Sequence, residues 1–127
     1  MTHDHRLLIV DDQEAILFAM SEYLRGRGFE VDCASTREDA QAALAANLYS
    51  AVIADLRLDP SDNRGGLRLL RWVRENRPET RTLLLTAFGT PSIEAEMRAI
   101  GADLLLSKPL PMASIADEVS RLLELNV

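Results

Sequence analysis

Residues 6–12 read RLLIVDD: four consecutive aliphatic side chains, Leu7 to Val10, stop abruptly at two carboxylates, Asp11 and Asp12. A continuous apolar run of this length, without the alternation of a half-exposed strand, marks a strand buried on both faces of a parallel sheet. The same form recurs downstream. AVIA (51–54) ends in Asp55, TLLL (82–85) in Thr86, and LLLS (104–107) in Lys108. If these runs are neighbouring parallel strands, their carboxyl ends gather three carboxylates, a hydroxyl and an ammonium in one crevice, the place where open α/β sheets bind ligands. Such a set of groups suits a phosphate and a divalent metal ion.

Working outward, strands are expected at 6–10, 29–33, 51–54, 82–85 and 103–106, separated by stretches of helical period. Ile16, Leu17, Met20 and Leu24 make the first apolar stripe, Ala40, Ala43 and Leu44 the second, and Leu67, Leu70 and Val73 the third. Ile93, Met97 and Ile100 form the fourth; Ile115, Val119, Leu122 and Leu123 form the last. Gly26 and Gly28 end the first helix, Pro78 follows the third, and Pro91 and Gly101 bracket the fourth. The pattern is α/β: a single-domain (βα)5, doubly wound parallel five-stranded sheet, with the flavodoxin-like strand order 2-1-3-4-5. In that order strands 1, 3, 4 and 5 are contiguous, and they are the four with reactive endings.

The 127 residues fit one domain, 1–127, with 1–5 a flexible tail that includes His3 and His5. A formal charge of −6 and the lack of any Lys or Arg run argue against direct nucleic-acid binding. Cys33 has no partner for a disulfide, and its apolar setting reads as a buried, reduced thiol in a cytoplasmic protein. No signal-peptide core or membrane-spanning stretch is visible, so no membrane insertion is expected. Trp72 reads as a packing residue of the third helix. The stretch 56–66, LRLDPSDNRGG, is longer than the usual βα loop and stands beside the expected site.

One of Asp11 and Asp12 could simply cap the first helix. Asp55 alters that balance. Carboxylates about 5 Å apart repel by roughly 3 kcal/mol per pair at an effective dielectric of about 20, so a cluster of three calls for a cation. Mg²⁺ (or Mn²⁺) takes oxygen ligands from one or two carboxylates, a carbonyl and waters, often shared with a phosphate. Lys108, across from Asp55, would neutralise an acceptor or phosphoryl oxygen, and the Lys108-Pro109 bond could be cis. Thr86 has a hydroxyl of the right length to bond the same group.

Asp11, Asp12, Asp55, Thr86 and Lys108-Pro109 in this order, with the LTAFG and IGADLLLSKP stretches, resemble the receiver domain of two-component response regulators over nearly the whole chain. The resemblance implies that Asp55 accepts a phosphoryl group from a sensor histidine kinase or phosphotransfer protein. It implies a metal site made of Asp11, Asp12, Asp55 and the backbone carbonyl of Arg57, with Thr86 and Lys108 contacting the phosphoryl group. It also implies a switch rather than an enzyme acting on a free substrate. The output would be a downstream effector or output domain, or a homodimer, recognised through the fourth helix, fifth strand and fifth helix. Glu94, Arg98, Leu105 and Asp117 would contribute to that surface. A pseudo-receiver that binds partners without phosphorylation is the alternative.

The chain departs from that family in two places. Leu105 stands where an aromatic switch residue is usual. The loop after Asp55 carries Pro60 one position late and Gly65-Gly66 beyond the usual glycine, implying an insertion of about two or three residues that affects where the third helix starts. The resemblance also implies that Arg57 and Phe88, two positions after Asp55 and Thr86, lie where the family tunes phosphoryl lifetime, and their bulk is expected to hinder attacking water and lengthen it.

Overall fold

The computed structural model describes residues 5–87 and 89–124; Phe88, His3 and the ends of the chain lie outside the described residues. Strand and helix alternate throughout: β1 (Arg6–Val10), α1 (Glu14–Gly26), β2 (Glu30–Ala34), α2 (Arg37–Ala46), β3 (Ala51–Asp55), α3 (Gly65–Asn76), β4 (Arg81–Thr86), α4 (Pro91–Ile100), β5 (Leu104–Ser107) and α5 (Met112–Glu124). All strand pairs are parallel, in the order β2-β1-β3-β4-β5. The expected architecture and strand order are thus found.

Alternate strand residues feed two cores. Leu8, Val10, Val52, Ala54 and Leu84 face α2, α3 and α4, meeting Ala40, Leu44, Leu70, Val73, Ile93 and Met97. Leu7, Ile9, Ala51, Ile53, Leu83 and Leu85 face α1 and α5, meeting Leu17, Met20, Leu24, Ile115, Val119 and Leu123. Trp72 packs against the first of these cores as a partly buried residue. The central strands are apolar on both faces because each face has its own helical layer.

Helix ends obey local chemistry. Thr36 accepts from the Asp39 amide (3.0 Å) and Thr90 from the Ile93 amide (3.2 Å), each satisfying an orphan donor in a first turn. Pro91 opens α4, and Gly101 closes it in the left-handed region at φ 74°, where a β-carbon would strain the backbone.

Three expectations are corrected. Cys33 is exposed rather than buried, because β2 is an edge strand and helices cover it incompletely. The other edge behaves alike: Leu104, Leu105 and Leu106 of β5 are only half-buried, so an apolar run here does not mean burial on both faces. His5 is half-buried and anchored, its Nδ1 2.9 Å from Ser50 Oγ, and so is not part of a loose tail. β2 and β5 also begin one residue later than expected, since pairing with β1 starts at Glu30 and pairing with β4 at Leu104.

Candidate functional site

Register decides which side chains meet. Val10 pairs with Ala54, Asp55 with Leu85, and Thr86 with Ser107, so Asp11, Asp55, Thr86 and Lys108 stand at adjacent strand tips spaced about 4.8 Å per strand. A cleft of about 450 Å³ opens over them, with Asp12, Asp55, Arg57, Thr86 and Lys108 in its wall. Asp11 is not in that wall. It is 3% exposed, and its charge interacts with Asp55, Asp12 and Lys108.

Asp55 is tied on both oxygens. Lys108 Nζ lies 2.5 Å from Oδ1, and the Arg57 amide donates to Oδ2 at 3.2 Å. The Asp55 side chain keeps 14% exposure and the Lys108 side chain 33%, so the pair is reachable from solvent without being freely hydrated. The Lys108-Pro109 peptide bond is cis, and the Lys108 amide donates to the Thr86 carbonyl at 2.7 Å. Thr86 itself is 3% exposed.

Neither aspartate caps α1. Its N-cap position is Gln13, with no side-chain cap, and Asp11 Oδ1 instead accepts from the Gln13 amide at 2.9 Å. That bond holds the carboxylate at the strand tip and leaves Asp12 exposed in the cleft.

Burial above all, then the charges of Asp55 and Asp12, push the Asp11 carboxyl up to about 6, against the lowering pull of the Gln13 amide and Lys108. A divalent ion beside this carboxylate would favour its charged form and oppose that shift. Among the described residues no three Asp, Glu, His or Cys side chains already form a finished cation cage. Mg²⁺ requires less than that: one or two carboxylates, a carbonyl and waters complete its octahedron. The oxygen donors at these strand tips therefore fit such an ion.

The Asp11 shift has a consequence for stability. In the unfolded chain this group releases its proton near 3.8, in the folded one near 6. Between those values the folded state holds the extra proton, so stability falls as pH rises and levels off above about pH 7. Asp11→Asn cannot ionise yet keeps the oxygen that the Gln13 amide needs. Without divalent metal it is expected to gain up to about 3 kcal/mol at about pH 7 and almost nothing below about pH 4. Urea unfolding at the two pH values checks this; an equal gain at both would contradict it.

Sequence reasoning missed part of the wall. Gln13, Asn63, Arg64, Thr90 and Ile93 also line the cleft. Asn63 and Arg64 come from the long loop, which folds back on itself through an antiparallel bridge between Asp59 and Asp62. α3 starts after it, at Gly65, and the Gly66 amide donates to the Leu56 carbonyl at 2.8 Å. The Gly65-Gly66 doublet was the available signal, because adjacent glycines mark close approach of backbones.

On the proposed output surface, Glu94, Arg98 and Leu105 share a shallow depression with Met97 and Ser107. Asp117 does not join them: Arg27, the C-cap residue just after α1, donates to its Oδ1 at 3.0 Å, placing it on the α1 side of α5.

A family model for the response regulator receiver domain matches residues 7–120. The photosynthetic apparatus regulatory protein RegA of Rhodobacter capsulatus is 33% identical over 106 residues, covering 84% of this chain and 56% of RegA. The transcriptional regulatory protein PmrA of Pectobacterium parmentieri is 35% identical over 125 residues, covering 95% of this chain and 53% of PmrA. The chain thus spans about half the length of the curated relatives it matches. Among solved structures, a CheY-like receiver domain protein from Methanospirillum hungatei superposes with a TM-score of 0.88 at 25% identity, covering 94% of each chain. The response regulator TrrA of Thermotoga maritima, solved in complex with Mg²⁺-BeF, gives a TM-score of 0.79 at 25% identity, covering 93% of this chain and 98% of TrrA. With a family model spanning nearly its whole length and the matching fold beneath it, the chain belongs to the response regulator receiver domain family.

Proposed function

We propose that the chain is a phosphorylation switch in two-component signal transduction, with Asp55 as the acceptor. The observation that carries this reading is the Lys108 ammonium 2.5 Å from Asp55 Oδ1 at the mouth of a solvent-open cleft. A carboxylate that only served the fold would not need a cleft above it.

In the transfer, an Asp55 oxygen forms a bond to phosphorus as the P–N bond to the donor imidazole breaks. The bonding pair stays on the imidazole nitrogen, which takes up a proton. Mg²⁺ (or Mn²⁺), held by Asp11, Asp12, Asp55 and the Arg57 carbonyl, would offset negative charge on the phosphoryl oxygens in an in-line displacement. Lys108 neutralises the acceptor before transfer and a phosphoryl oxygen after it, and Thr86 donates a hydrogen bond to the product. The donor is a sensor histidine kinase or phosphotransfer protein. Water attack on the acyl phosphate returns Asp55 to the carboxylate, and the bulk of Arg57 and Phe88 is expected to slow that attack.

A phosphoryl group adds about −1.5 to −2 charges and strong acceptor oxygens. Its bonds to Lys108 and Thr86 bias the packing of the segment from β4 to α5, and the surface around Glu94, Arg98 and Leu105 presents the result to an effector, an output domain or a second copy. The test is incubation with a small-molecule phosphodonor and Mg²⁺, read by intact mass. One phosphoryl mass gained with Mg²⁺ and lost on chelation is the expected outcome. No gain under either condition would leave an interaction module without a phosphoryl switch.

A further inference from the structure

Besides Lys108 and Arg57, the long loop brings to the cleft a further cation, Arg64, that has no part in the transfer step. Arg64 lines the same wall as Asp55 and Lys108, and its guanidinium is held by α4: Nη1 lies 2.5 Å from Glu96 Oε2, and Nη2 lies 3.5 Å from Ser92 Oγ. Two residues on, Gly66 is pressed so closely on β3 that a β-carbon there would stand 2.2 Å from the Asp55 carbonyl oxygen. The start of α3, two residues after Arg64, is therefore held against the backbone of Asp55, while the Arg64 side chain, in the lining of the same cleft, is tied to α4. The side chains of Arg64 and Glu96 are 37% and 43% exposed, so the pair is half-hydrated and exchangeable.

We infer that Arg64 is a phosphoryl-sensing residue that leaves Glu96 for the group on Asp55, and in doing so unties α4 from the loop after β3. The inference rests on Asp55 being the acceptor. A carboxylate offers the guanidinium one negative charge; a phosphoryl group offers about two and three oxygens in a geometry that suits the guanidinium fork. No bond is made or broken beyond this exchange of ion-pair partners. Glu96 is left to solvent, and α4, which forms one wall of the cleft through Ile93 and its N-cap Thr90, loses a tether to the loop. The inserted loop thereby acquires a function: it supplies a charge-operated latch between the phosphorylation site and α4.

Hydrogen–deuterium exchange of α4 amides, with and without loading by a small-molecule phosphodonor and Mg²⁺, tests the latch in the wild type, Arg64→Ala, Arg64→Lys and Glu96→Gln. Loading should speed exchange over 92–97 in the wild type by about two- to fivefold, the range one half-exposed ion pair supports. Arg64→Ala and Glu96→Gln should exchange at the faster rate before loading and change little on loading; Arg64→Lys should keep part of the response. Intact mass on the same samples separates the two readings. If Asp55 is loaded and α4 responds equally in wild type and Arg64→Ala, or not at all in wild type, the latch is overturned and the acceptor stands. If no variant gains mass, both fall.

Discussion

Asp55→Asn is expected to reduce loading by a small-molecule phosphodonor from the wild-type level to none, read as the phosphoryl mass gained with Mg²⁺. The amide keeps an oxygen for the Arg57 N–H, which the Asp55 carboxylate accepts at 3.2 Å, so the strand tip loses little of its local geometry. It has no anionic oxygen to attack phosphorus, and it leaves the Lys108 ammonium without the partner it holds at 2.5 Å. The substitution also removes one of the charges that raise Asp11, whose titration should move down from about 6. These two readouts are independent, because one reports chemistry and the other electrostatics. Full loading of the variant would place the acceptor elsewhere and end the proposal.

Gly66→Ala is expected to be the most damaging substitution of a residue outside the acidic cluster. The new methyl group would lie 2.2 Å from the Asp55 carbonyl oxygen, 2.9 Å from its carbonyl carbon and 2.9 Å from the Leu56 α-carbon. All three are backbone atoms, and none can rotate aside as a side chain would. Either α3 moves off the sheet, losing contacts of Leu67 and Leu70 with the first core, or the tip of β3 shifts with Asp55 on it. Overpacking of this kind costs about 3 kcal/mol or more. Denaturant unfolding should show the loss, and phosphodonor loading should fall with it. By contrast, the atoms nearest a Gly65→Ala methyl group are Leu58 side-chain atoms at 3.2 and 3.6 Å and an Asp62 oxygen at 3.5 Å, so it should cost far less. Equal destabilisation by the two would show that the backbone approach is not the controlling contact.

Much of the fold was legible because burial leaves a mark in composition. Leu7 to Val10, 51–54 and 82–85 are apolar on both strand faces, and only a sheet covered on two sides gives such runs a place. The same inference failed at the edges. Cys33, Leu104, Leu105 and Leu106 read as buried, yet an edge strand lacks a neighbour on one flank and its covering helices stop short of it. Composition records that a residue is apolar; how far it is covered depends on where its strand sits in the sheet.

The candidate site divides in the same way. Local sequence by itself determined that Asp11, Asp12, Asp55, Thr86 and Lys108 terminate strands, because each comes at the end of its apolar run, and parallel crossovers then required those ends to share one rim. Only the tertiary structure decided that Asp11 sinks beneath the cleft wall while Asp12 lines it, and that Arg64 reaches Glu96 across 32 positions. Periodicity specifies which face of an element is buried, but the direction of a long polar side chain depends on charges brought near by other elements, and those meet only after the chain has folded.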